Sequence, residues 1–186
     1  MTGSFSPIAS GSNVNLTTEG KLYWVHWGLS GDSSLNRKST VPPQIKDFDV
    51  LYNSNLTYVA AFRYTDNFNS YSWSDGIQEP SITNTTTGVY VVGGFNPTEV
   101  NGFQFTVPAD TALKTLKVFV GTFGAQGRFQ AILSDQVASY SDTTLNNSLN
   151  GPGGAYTINF AANSANQTLT IRWTVSSKSR IDGNVT

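Results

Sequence analysis

Cysteine is absent from this 186-residue chain, and histidine occurs once. The first absence excludes disulfides, thiolate-ligated zinc and a cysteine nucleophile together. The second leaves His26 alone to serve a zinc site or a Ser-His-Asp triad. Catalytic zinc takes several His or Cys ligands, and no Gly-x-Ser-x-Gly elbow is present to hold a serine nucleophile. Charge is scarce as well: 12% of residues, a formal net charge of -1, and 11 Lys+Arg against 12 Asp+Glu. That balance builds neither a basic groove for phosphates nor a patch for anionic lipid, so no nucleic acid and no membrane are expected as partners. No apolar run approaches membrane-spanning length.

What is present is Ser, Thr, Asn and Gly around short apolar runs, a composition poor in helix formers and common in secreted bacterial β proteins. An extracellular monomer is expected. The start, Met1-Thr2-Gly3-Ser4-Phe5-Ser6-Pro7, has no basic stretch followed by an apolar one. It therefore does not read as a signal peptide, and the chain reads as a module excised from a longer protein. Residues 1–13 are Gly, Ser and Pro rich and residues 178–186 are polar, so both ends read as linker around a single module at 14–177.

Within that module, period-two alternation recurs between Gly, Pro, Asn and Asp clusters and predicts strands at 22–27, 57–64, 69–73, 88–92, 102–107, 115–120, 128–134, 156–161 and 168–175. Eight or nine antiparallel strands suit an all-β, two-sheet β-sandwich of jelly-roll type. Leu116, Val118 and Val120 share one face of their strand, as do Leu169, Ile171, Trp173 and Val175, and both faces are expected in the core.

Aromatic side chains beside hydrogen-bonding groups gather in two places. Trp24-Val25-His26-Trp27-Gly28 carries bulky groups on both sides of a strand. The stretch from Arg63 to Gly76 interleaves Tyr64, Phe68, Tyr71 and Trp73 with Arg63, Asp66, Asn67 and Asp75. A pyranose ring packs its C–H face on an aromatic ring, and its hydroxyls both donate and accept. These segments are therefore expected to form a sugar site. Trp24, Trp27, Tyr64, Tyr71 and Trp73 would act as stacking platforms, and His26, Arg63, Asp66, Asn67 and Asp75 as hydroxyl partners. The competing reading buries the same aromatics as core.

A glycosidase needs only two carboxylates, and Asp32, Asp47, Asp49, Asp66, Asp75, Glu79, Asp110, Asp135 and Asp142 offer many pairs. Most fall where strand-ending turns are expected, a place Asp fills through its own backbone. The chain is therefore expected to bind rather than catalyse, and not to be an enzyme. A structural calcium ion is the one cofactor left open, with Asp135 and Asp142 as its ligands; turn formation is the favoured reading of both acids.

The two aromatic segments, Asn36-Arg37-Lys38, Gly102-Phe103-Gln104-Phe105-Thr106-Val107-Pro108-Ala109-Asp110 and Leu116-Lys117-Val118-Phe119-Val120-Gly121 together span most of residues 14–177. In these pieces the chain resembles galactose-binding-like jelly rolls and the carbohydrate-binding modules built on them in multidomain bacterial secreted proteins. The resemblance implies a sandwich of about eight strands, often with a structural calcium, and a sugar site on end loops or a concave face. The expected role is a non-catalytic module tethering its covalently linked neighbouring domains to a neutral polysaccharide or oligosaccharide. The alternative is a structural or adhesion module of a large bacterial surface protein.

Overall fold

A computed structural model describes residues 1–52, 59–93 and 101–186. The chain begins with β1 (Thr2–Pro7), β2 (Asn13–Asn15), a single turn of helix α1 (Leu16–Glu19), β3 (Val25–Trp27), β4 (Leu35–Arg37) and β5 (Asp49–Leu51). It continues through β6 (Phe62–Tyr64), β7 (Ser70–Trp73), β8 (Ile82–Thr85), β9 (Gly88–Val92), β10 (Gly102–Ala109) and β11 (Lys114–Val120). The remainder is β12 (Thr122–Leu133), β13 (Ser139–Asp142), β14 (Asn146–Asn150), β15 (Gly154–Phe160), β16 (Gln167–Lys178) and β17 (Asn184–Val185).

The class is all-β. Each strand expected from alternation has a counterpart, although the one expected at 57–64 is described only from residue 59 onward and appears as Phe62–Tyr64. In place of two sheets, the described strands form sheets of nine, three, three and two. The long strand β12 is the reason. It shares one edge between β13 and β14 and the other between β16 and β17, slipping register between Gln126 and Gly127.

The main core lies between the nine-stranded sheet and the sheet β1-β15-β11. Phe103 and Phe105 on β10, Ile171 and Trp173 on β16, and Phe129 and Ala131 on β12 sit in matched register and are buried. They face Tyr156, Ile158 and Phe160 of β15, and the Phe129 and Tyr156 rings stack at 4.1 Å. Removing each such side chain from water stabilises the fold by about 1.5–3 kcal/mol. Gly127 is required here because the Trp173 indole lies over its backbone, and a Cβ would stand 1.8 Å from the ring. The indole is also tied down by its Nε1, which donates to the carbonyls of Gly121 and Thr186 at 3.3 and 3.0 Å. Gly127→Ala is therefore expected to cost about 1–3 kcal/mol in urea denaturation, as overpacking does, and to shift tryptophan fluorescence. Unchanged stability would contradict this packing.

Both ends differ from the linkers expected of them. β1 pairs with β15 along its whole length and packs Phe5 against Tyr156 at 5.0 Å. β17 fits between β12 and β9. An edge strand needs only backbone donors and acceptors, so Gly, Ser and Pro composition hid β1, and two residues are too few to show alternation in β17.

Candidate functional site

Trp24 and His26 project to one side of β3, Val25 and Trp27 to the other, and both sides are covered. On the first side a smaller core of Leu16, Trp24 and Trp73 forms under β2, β7 and α1. Trp24 and His26 each lie 5.2 Å from the Trp73 ring, and His26 meets the edge of Tyr71 at 5.7 Å. On the second side Trp27 packs on Phe48 at 5.7 Å and Phe105 at 5.6 Å, its Nε1 donating to Asp47 Oδ1 at 2.6 Å.

A cavity of about 750 Å³ lies between β3, β11, the α1 turn and the inner faces of β9, β10 and β16. Leu116 and Val118, expected as core, line it and stay half-buried for that reason. His26, Tyr64, Asn67, Tyr71 and Thr87 form a polar group in the lining. The Asn67 amide donates to the Tyr64 hydroxyl at 2.9 Å, and His26 Nε2 is 3.2 Å from the Thr87 carbonyl oxygen. A carbonyl only accepts, so Nε2 carries the proton and Nδ1 is left as a bare acceptor without a partner among the described residues. Burial pushes the His26 pKa down to about 4 against the partial help of the Thr87 carbonyl, so the ring is neutral at ordinary pH. Burial likewise raises Tyr64 to about 12, with Tyr71 also raised, so both hydroxyls stay protonated and able to donate.

The opening of the cavity is marked by exposed residues of its lining. Leu22 and Leu113 are 82% and 76% exposed. Glu19, the only carboxylate side chain in the lining among the described residues, pairs there with Lys117.

Six of the ten residues expected at a sugar site line this cavity: Trp24, His26, Trp27, Tyr64, Asn67 and Tyr71. The other four stand elsewhere. Trp73 is 2% exposed, with its Nε1 on the Glu79 carbonyl, and so presents no platform to solvent. Asp75 accepts from Thr17, Trp24 and Lys38 and is a structural hub. Arg63 Nε donates to the carbonyls of Gly28 and Leu29, both at 3.0 Å, clamping the turn after β3. That turn needs glycine, since Gly28 has φ +81° and a Cβ would meet the Gly88 carbonyl oxygen at 2.3 Å. Asp66 is exposed and touches Asn150 at 3.4 Å. An open row of stacking platforms therefore gives way to a partly open pocket, because the smaller core consumes Trp73 and turns Trp24 inward.

The acids held open for calcium act in turns. Asp135 accepts from the backbone N–H of Val137 and Asn163, and Asp142 from the Thr144 N–H and hydroxyl and from the Tyr156 hydroxyl. Among the described residues no group of three or more His, Cys, Asp or Glu is placed to hold a metal ion. Sequence reasoning missed Phe48, Phe103, Phe105, Phe119, Thr87 and Trp173 as lining residues. Alternation marked most of their strands, but nothing local tells which distant strands close over His26.

No protein-family model matches this chain, and neither does any curated protein. The likeness to galactose-binding-like modules is thus not shown, and the all-β class is what stands. Among solved structures the chain is similar to the enzymatically active domain of bacteriophage CBA120 tailspike protein 4, with a TM-score of 0.45 and 12% identity. The match covers 74% of this chain and 18% of that one. The expectation that the chain is not an enzyme is corrected by this finding, since the solved domain is an enzymatically active one; at that score and identity the likeness itself assigns no activity here.

Proposed function

We propose that this chain binds a saccharide, and that the ligand enters the cavity beside β3 rather than lying on an open sheet face. The observation that carries the reading is the composition of the lining. Trp24, Trp27 and other aromatic rings stand with a compact set of neutral donors and acceptors from His26, Tyr64, Asn67 and Tyr71. Ring faces for C–H groups and fixed polar groups for hydroxyls are what sugar recognition requires. A volume of about 750 Å³ falls within the range of about 300–1,000 Å³ common to small-molecule sites.

The test is titration with neutral mono- and oligosaccharides, read by calorimetry and by tryptophan fluorescence, because Trp24, Trp27 and Trp173 all line the cavity. Filling the cavity with Val118→Trp is expected to weaken binding at least about tenfold, roughly 1.4 kcal/mol, while β-sheet circular dichroism is retained. Leu116→Phe is a second, milder filling should the first variant fold poorly. Unchanged affinity in a folded filled variant would overturn the reading.

A further inference from the structure

The lining of the cavity also bears on which saccharides it would take, an inference that rests on the reading just given. We propose that the cavity prefers neutral saccharides carrying an apolar substituent, a 6-deoxy or N-acetylated ring, over fully hydroxylated or acidic ones.

The hydrogen-bonding groups around His26 gather in one set of neighbours, apart from the exposed or half-buried Glu19, Lys21, Lys114, Thr115 and Lys117 of the same lining. Tyr64 and Asn67 are hydrogen-bonded, Asn67 N donates to the Thr86 carbonyl beside Thr87, and His26 joins Thr87 and Tyr71. The wall on the far side of β3 is different. Ile45, Phe48, Phe103 and Phe105 have no side-chain donor or acceptor, and Trp27, which packs on Phe48 and Phe105, has its one donor engaged by Asp47. A hydroxyl placed against that wall loses its water without gaining a partner, whereas a methyl or acetyl group gains burial.

Charge finds no better reception. The carboxylate of Glu19 at the opening is engaged by Lys117, and Lys114 by Asp110; Lys21, also in the lining, is exposed to solvent, where an ionic contact with a sugar carboxylate is worth little. His26 is neutral, so a carboxylate on the sugar would meet no positive partner at the polar end. The approach favours apolar groups too: Leu22 and Leu113 are two of the three most exposed large apolar side chains described, and both belong to this lining.

The experiment is calorimetric titration of the whole chain with matched sugars: D-fucose against D-galactose, N-acetyl-D-glucosamine against D-glucose, and D-galacturonic acid against D-galactose. The deoxy and acetylated members are expected to bind at least about fivefold more tightly than their partners, and the uronic acid most weakly. Ile45→Thr, which places a hydroxyl on the apolar wall, is expected to narrow the D-fucose preference without loss of fold. Equal affinities within each pair would overturn the preference and leave saccharide binding standing. Binding of no sugar at all, with uptake of the apolar dye N-phenyl-1-naphthylamine into the cavity, would overturn both.

Discussion

Replacing Asp75 with alanine is expected to cost the fold about 3–5 kcal/mol, the range for removing one partner of a buried ion pair. Its Oδ1 accepts from the Thr17 hydroxyl at 2.6 Å and from Trp24 Nε1 at 2.8 Å, and its Oδ2 from Lys38 Nζ at 2.7 Å. Lys38 is 8% exposed, so the deletion strands an ammonium group away from water and frees three donors at once. The carboxylate ties α1, the residue before β3, the residue after β4 and the turn after β7 into one unit beside the cavity. Burial works against its charge, but the bonds from Lys38, Thr17 and Trp24 outweigh it and hold its pKa below the usual carboxylate value. That contribution is present above the unfolded-state pKa and is lost as pH falls through the folded one. Urea denaturation of Asp75→Ala, Lys38→Met and the pair Asp75→Leu with Lys38→Met checks this: the double variant should recover most of the loss, because it leaves no unpaired charge. A cost below about 1 kcal/mol for Asp75→Ala would place the pair in the class of weak surface ion pairs instead.

The second large effect is acid sensitivity set by His26. Its pKa falls from 6.5 to about 4 on folding, with burial the main cause. Between those values the unfolded chain binds the extra proton and the folded chain does not, so stability falls as pH falls through this window and is flat above it. The shift corresponds to about 3 kcal/mol at 1.36 kcal/mol per pKa unit. Urea denaturation at a series of pH values from 7 to 4 should show this slope in the native chain and lose it in His26→Gln, leaving only the carboxylate contributions at the acid end. An equal slope in both chains would mean that His26 is solvated in the folded protein.

What alternation could reveal, it revealed. The strands β10, β12 and β16 and the buried face of Leu169, Ile171, Trp173 and Val175 read correctly because each strand is long enough for period two to register and because their inward positions carry Phe, Ile, Leu, Val and Trp. The short strands β2, β8 and β14 are built mostly from Asn, Ser and Thr, and β4 and β5 have only three residues each, so no pattern separates them from loop. The pull of Trp24, His26 and Tyr71 toward a common place was legible as composition. Their enclosure was not, because it depends on β11 and β10 closing over β3 from far along the chain. Arg63 and Asp75 illustrate the opposite limit: in sequence, an arginine that clamps a turn and an aspartate that caps an indole look the same as residues awaiting a ligand.

The most direct measurement uses the single histidine. Because His26 is alone in the chain, its imidazole protons give one unambiguous set of NMR signals, and intermolecular NOEs from them to the ring protons of bound N-acetyl-D-glucosamine or D-fucose would report occupancy of this cavity. The account predicts such NOEs, joined by others to Tyr71, with loss of both in Val118→Trp. Sugar NOEs confined to surface rings such as the exposed Phe62 beside Tyr90, or no NOE from any sugar at saturating concentration, would contradict it.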